Sequence, residues 1–242
     1  YGDYNVQEIP FYQHVHQMIW QGKTAFDFGT DLGANFVGSY GFYMLGTPFF
    51  WLMLPFPNSW IPYLMGPMFI LKFAIAALFA YLYLARFLKN KSFAVLGALL
   101  YAFSGFAIYN IFFNHFVDVV ALFPLLLYGL ERYVVDQKKG IFALAVTLNL
   151  LVNYFFFVGQ VTFLILYFLC RLPSPDFHIT KKKFFGLAFE SILGVLGGMV
   201  LLLPSLLALG GNDRVSSILT GIQMLFYNSF NRYGSIISSA FF

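Results

Sequence analysis

The sequence predicts an all-α, polytopic transmembrane helical bundle, and three observations predict it. Hydrophobic residues make up 60% of the chain and charged residues only 10%. A soluble domain carries roughly 25% charged residues, so this chain cannot cover a water-exposed surface. Apolar runs recur at about the 20-residue length that a bilayer core requires of a helix. The 33 Phe and 16 Tyr suit the aromatic belts of a membrane interface.

The chain opens on "YGDYNVQEIPFYQHVHQMIWQGK", a polar, acid-bearing stretch at the edge of apolar sequence. It has no initiator Met, basic n-region or apolar h-region, so it does not read as a signal peptide; it reads as an internal cut. Pro10 suits the first turn of a helix. Phe11, Val15, Met18 and Ile19 follow at i, i+4, i+7 and i+8, one apolar stripe. Pro10 to Gln21 is therefore expected to be an amphipathic helix lying in the interface. His14 and His16 are two apart on it and point to different faces. The next stretch, "GKTAFDFGTDLGANFVGSYG", is a glycine-rich break that fits no phosphate-binding loop. "TPFFWLMLPFP" is too short to span and reads as a second interfacial helix. Residues 1–63 thus form an outer-face loop with two interfacial helices.

Residues 64–209 form a transmembrane module of about six helices. The first two spans are Leu64 to Arg86 and Phe93 to about Phe113. The third runs from about Phe116 to Tyr133 and contains Pro124, which membrane helices tolerate. The stretch 141–170 is too long for one perpendicular span, and "NYFFFVGQ" at its centre suggests a reversal into two short helices. Phe184 to Leu209 is the last, ended by "GGND". Residues 210–242 read as an outer-face loop or the start of a following region.

Of the fourteen basic residues, ten fall in alternate loops: Arg86, Lys89 and Lys91; Arg132, Lys138 and Lys139; Arg171 and Lys181 to Lys183. Three (Lys23, Arg214, Arg232) fall on the other side, and Lys72 lies inside a span. The positive-inside rule puts the ten in the cytoplasm and Asp3, Glu8, Asp27, Asp31, Asp118 and Asp213 outside. Scattered short basic clusters are no nucleic-acid footprint. Cys170 is the single cysteine, which excludes an internal disulfide or a Cys-rich metal site.

The run Gly2, Asp3, Gln7, Pro10, Phe11, followed by "LGANFVGSYGFYMLGTPFF", resembles the first extracellular loop of the YfhO family. "LKFAIAALFAYLYL", "NHFVDVVALFPLLLYGLER" and "NLLVNYFFFVGQVTF" extend the resemblance over roughly residues 1–210. These are bacterial multi-pass membrane proteins similar to GT-C glycosyltransferases. The resemblance implies a GT-C-like fold in the bacterial plasma membrane and a first span just before Tyr1. It also implies transfer of a sugar from a polyprenyl-phosphate donor to a lipid or polymer acceptor on the outer face, lipoteichoic acid in some members. Asp3 occupies the place of the catalytic carboxylate, with Gln7 and Glu8 beside it as substrate contacts and Glu8 as the substitute acid.

Displacing a polyprenyl phosphate by a hydroxyl needs a base for the acceptor's proton and cations or donors to hold the phosphate. No nucleotide takes part, so no pyrophosphate-binding Mg²⁺ site is demanded, and no cofactor is expected. From the residues alone, Asp3 could equally be a helix cap or a solvated loop acid. Asp118, next to Asn114 and His115, could orient a sugar hydroxyl, serve as a second carboxylate or cap its helix. Lys72, about 12 Å into its span, could hold the lipid phosphate as a point charge or pair with a buried acid. Asn153 and Gln160 could bind sugar hydroxyls or serve turn chemistry. Arg214 could neutralise the donor phosphate. Glu190 reads as structural. The rival readings are a transporter or flippase-like protein coupled through Lys72 and Asp118, and a non-catalytic membrane scaffold.

Overall fold

The computed structural model describes residues 3–30 and 32–209. Contacts divide the chain into two compact units, Tyr1–Leu206 and Leu207–Phe242, and the architecture below is that of the first. It is helical nearly throughout. A wide π-type turn, Tyr4–Glu8, leads into α1 (Ile9–Trp20), which has Pro10 in its first turn. A two-residue antiparallel ribbon of β1 (Phe26–Asp27) and β2 (Ala34–Asn35) fills the glycine-rich break. The Asn35 side chain then caps α2 (Phe36–Tyr40), accepting from the Gly38 N–H at 2.8 Å. A second π-type turn, Gly41–Leu45, and the short α3 (Pro48–Met53) complete the outer segment. Its aromatic and Met side chains pack into one cluster around Tyr12, Val15, Phe36, Tyr40, Met44 and Phe50.

The bundle follows as α4 (Ile61–Leu84), α5 (Lys91–Ala102), α6 (Gly105–Tyr109), α7 (Asn114–Val134), α8 (Ile141–Val152), α9 (Tyr154–Arg171) and α10 (Lys181–Leu209). Among the described residues, four helical stretches are long and apolar enough to cross a membrane: Asn58–Leu84, Lys91–Phe112, Tyr154–Arg171 and Lys181–Ala208. The difference from about six lies in α7 and α8. At 12 residues α8 is short. Helix α7 is the bundle's centre, packed on α4 and α8 and buried along most of its length. Surrounded by protein rather than lipid, it can carry His115, Asp118, Glu131 and Arg132. Pro124 within it lacks an N–H and frees the Val120 carbonyl, which accepts instead from the Tyr101 hydroxyl at 2.8 Å.

The expected reversal within 141–170 is at Asn153. Its side chain accepts from the Phe155 and Phe156 N–H groups, both at 3.1 Å, and caps α9. Helix α10 lies against α8 through glycine: a Cβ added at Gly194 would come within 2.7 Å of the Ala143 carbonyl, the close approach that small residues allow between membrane helices. Glu190 accepts from the N–H groups of Gly140 (2.8 Å) and Ala143 (3.2 Å), completing the N-terminus of α8. That is the structural role expected of it.

Basic residues from all three lysine- and arginine-rich loops meet at one end of the bundle. Arg86 binds Asp136 in bidentate fashion at 2.7 and 3.0 Å, and Arg132 reaches the same carboxylate at 3.2 Å. Arg171 joins Glu131 (2.8 Å) to Asp176 (2.8 Å), and Lys183 donates to the Val134 carbonyl at 2.7 Å. Hydrogen bonding to Arg86, above all, holds the Asp136 carboxyl below its usual pKa. A depressed carboxylate pKa contributes stability that is complete above about pH 4 and lost as pH falls through the folded-state value. Wild type and Asp136→Asn should therefore differ in melting temperature at pH 7, by an amount worth about 1 kcal/mol, and draw together as the pH falls below 4. Curves that stay parallel across that range would remove Asp136 from the linkage.

Candidate functional site

The outer segment is fastened to the bundle by a chain of buried polar contacts. Glu8 and Tyr12 are one helical turn apart, so both project from the same face of the entry into α1. Two consecutive residues at the start of α7 meet them. His115 Nδ1 lies 3.0 Å from Glu8 Oε1, and the Asn114 side-chain amide donates to the Tyr12 hydroxyl at 2.8 Å. Lys72 of α4 closes the chain from below. Its Nζ donates to Asn114 Oδ1 at 2.5 Å and to the Asn114 carbonyl at 3.0 Å, and lies 2.5 Å from Asp118 Oδ1. The Phe49 ring of α3 sits 5.5 Å from the ammonium, a cation–π contact. Glu8, Tyr12, Lys72, Asn114, His115 and Asp118 are all at most 4% exposed.

The cluster holds two carboxylates and one ammonium, so the charge on His115 decides whether it is balanced. Glu8 Oε2 and Asp118 Oδ2 have no hydrogen-bond partner among the described residues. His115 is packed against the Phe42 and Tyr43 rings of the outer segment, each centroid 5.1 Å away, which shields the pair from water. Tyr4 stands at the edge. Burial, and then the charges of Glu8 and Asp118, push its pKa up, so its hydroxyl stays protonated.

Tyr4 also lines an apolar cavity of about 430 Å³, shared with Pro62, Met65 and Phe69 of α4 and with Ile111 and Phe112. Asp3 immediately precedes Tyr4. It is exposed, and its side chain makes no capping bond to the π-type turn. Two kinds of acid are thus found here: Glu8 and Asp118, buried and paired, and Asp3, open to solvent one residue before the cavity-lining Tyr4.

The remaining sequence-derived candidates are placed as follows. Gln7 is half-buried on the π-type turn. Asn153 is fully buried and devoted to the α9 cap and a 3.4 Å bond to the Phe42 carbonyl, so it serves turn chemistry. Gln160 is buried in a separate apolar cavity. Arg214, like Asp31, lies outside the described residues. His14 and His16 face different partners: His14 lies 2.5 Å from Asp27, and His16 contacts backbone carbonyls. Burial raises the Asp27 pKa, but bonds from Thr30, His14 and the Gly29 N–H outweigh it and hold the carboxyl below its ordinary value. Sequence reasoning missed Tyr4, Tyr12 and Phe49. They were three among 52 aromatic side chains by type, and only their register with Glu8 and α7 singles them out.

No curated protein and no solved structure gives a significant match to the chain. The family described as "Bacterial membrane protein YfhO" matches residues 1–238, nearly the whole sequence and both the outer segment and the bundle. The chain belongs to the YfhO family of bacterial membrane proteins.

Proposed function

We propose that this chain is the donor-side module of a membrane glycosyltransferase of the GT-C type. It moves a sugar from a polyprenyl-phosphate donor to a hydroxyl of an outer-face envelope acceptor such as lipoteichoic acid. Asp3 acts as general base: its carboxylate takes the acceptor's proton, the acceptor oxygen bonds to the anomeric carbon, and the polyprenyl phosphate leaves with the electron pair of the broken C–O bond. The observation that carries this reading is the contrast among the acids. Asp3, next in sequence to the groove-lining Tyr4, is the one that is exposed and without a hydrogen-bond or ion-pair partner among the described residues. A base must be free to reach a substrate proton, and Glu8 and Asp118 are already engaged. The groove would take the first isoprene units of the donor.

Lys72 can reach a phosphate only by leaving Asp118, so it is assigned to the site's floor together with His115 and Asp118. Sugar contacts are assigned to Gln7. This arrangement requires the acidic end to face outward from the bacterial plasma membrane.

The test is sugar transfer by the full-length protein in membranes supplied with polyprenyl-phosphate sugars and envelope acceptors, wild type against Asp3→Asn. Because Asp3 has no described partners, the variant should fold normally, which a melting curve checks. Loss of transfer by about 100-fold is the size expected for a general base. An active Asp3→Asn enzyme would move the base elsewhere. The buried Lys72–Asp118 pair favours a second reading, a transporter in which that pair breaks and reforms during substrate movement. Absence of transfer by wild type from every donor would put that reading first.

A further inference from the structure

The basic end of the bundle carries more positive charge than its own acids neutralise. Its three loops hold ten lysines and arginines against four carboxylates, Glu131, Asp136, Asp176 and Glu190. Arginine takes three of the four: Arg86 and Arg132 share Asp136, and Arg171 joins Glu131 to Asp176. Glu190 is occupied by two backbone N–H groups. None of the seven lysines is left with a carboxylate partner among the described residues. Lys91 and Lys183 donate to backbone carbonyls instead. Lys89, Lys138, Lys139, Lys181 and Lys182 are exposed.

The excess is densest around Asp136. Arg86 already binds that carboxylate through two nitrogens, so the charge of Arg132, 3.2 Å away, is only partly met. The Arg132 side chain is 30% exposed and within reach of a ligand. Gln137 lies in the left-handed region at φ 57°, and the chain turns back there. The Lys138 N–H thereby donates to the Arg132 carbonyl at 3.0 Å, and its ammonium acts on the same Asp136 carboxylate. Three cations thus surround one acid, and the local potential favours a further anion. The neighbouring side chains decide which kind. Leu88 precedes Lys89, Leu172 follows Arg171, and Phe184 and Phe185 follow Lys183; these four are 36–70% exposed. A soluble anion would leave them facing water. A lipid brings a phosphate at headgroup level and hydrocarbon directly beneath it, the arrangement in which lysine and arginine stems lie along apolar surface with their charges at the interface.

We propose that the basic end is a binding site for anionic phospholipid. Arg132 and Lys138 hold one headgroup phosphate, the other exposed lysines hold neighbouring headgroups, and acyl chains lie on the exposed apolar side chains beside them. The site stands whether or not Asp3 is a catalytic base, because it shares no residue with the outer segment or with the Glu8–His115 and Lys72–Asp118 cluster.

Native mass spectrometry tests this on the full-length protein, stripped of lipid and offered equal amounts of dioleoyl-phosphatidylglycerol and dioleoyl-phosphatidylcholine. The acyl chains are identical, so any preference reads the headgroup. A lysine near an anionic membrane surface is worth about fivefold in affinity, so wild type should retain phosphatidylglycerol over phosphatidylcholine by at least about tenfold. Lys138→Gln/Lys139→Gln should cut that preference at least about fivefold. Both side chains are exposed and outside any ion pair, so the double variant should fold, which a melting curve checks. Lys23→Gln neutralises an exposed lysine of the outer segment and should leave the preference unchanged. Asp136→Asn removes the competing carboxylate and should raise it. Excess glycerophosphoglycerol, the same headgroup without its chains, should not displace the lipid; displacement would make a soluble phosphate ester the ligand and overturn the lipid assignment. Equal retention of the two lipids by wild type would also overturn the proposal. So would an unmoved preference in the double variant or in Asp136→Asn, or a loss in Lys23→Gln as large as in the double variant.

Discussion

Lys72→Met is expected to cost about 3–5 kcal/mol of stability, the penalty for removing one member of a buried ion pair. Lys72 and Asp118 are each 1% exposed by side chain and 2.5 Å apart, so the variant leaves a carboxylate with neither water nor counterion. A second loss follows from the same ammonium. It also donates to both oxygens of Asn114, and Asn114 in turn holds Tyr12. Loosening Asn114 should therefore free the outer segment as well as weaken the α4–α7 contact. The double variant Lys72→Met/Asp118→Leu removes both charges and should recover most of the loss, because apolar replacement of a whole buried pair is often neutral. Melting of the detergent-solubilised proteins, followed by circular dichroism, measures all three. A single variant as stable as wild type would mean that water reaches the pair, and the floor assigned to the site would be wrong.

The parts of this structure that the sequence made legible are those set by local pattern. Apolar length places α4 and α10 within a few residues of their observed ends, and Asn153 marks the break before α9 because an Asn side chain can cap the helix that follows. Charge placement grouped Arg86, Arg132, Arg171 and Lys183, which do meet at one end. Long-range pairing was not legible. Glu8 and His115 are 107 positions apart and Lys72 and Asn114 are 42 apart, and nothing near either residue announces the other. The sequence could say that Lys72 needed a partner, since an intramembrane ammonium is costly alone. It left the choice between a buried acid and a lipid phosphate open, and the packing of α7 at the bundle's centre supplies the acid. The apolar stripe on α1 was found but slightly rotated. Phe11 is only half-buried, whereas Tyr12 is covered, because the helix faces Asn114 rather than lipid. The π-type turn that follows Asp3 had no signature at all.

Gly46→Ala is expected to destabilise the protein by about 3 kcal/mol, the upper range for overpacking a filled site. Gly46 ends the second π-type turn of the outer segment, and a Cβ there would run into the carbonyl group of Leu151 near the end of α8. The obstacle is backbone in a helix, so no side-chain rotation relieves it; the outer segment must lift or α8 must bend. Either movement acts on the site, because the adjoining turn carries Phe42 and Tyr43, the rings packed against His115. The same turn supplies the Phe42 carbonyl bonded by Asn153, so Asn153→Ala should add to the damage less than independently, the two changes sharing one contact. Gly159→Ala is the matched control. It lies inside α9 with nothing within 4 Å of an added Cβ, and a helix-interior alanine is favoured over glycine by roughly 0.5–1 kcal/mol. Melting curves should thus move in opposite directions for two substitutions of identical chemistry. Tolerance of alanine at position 46 would show that the outer segment does not rest on α8, and the shielding of Glu8 and His115 would need another cause. If Gly46→Ala instead unseats the segment, the sugar transfer proposed above should fall with it although Asp3 is untouched, since that proposal needs the segment seated.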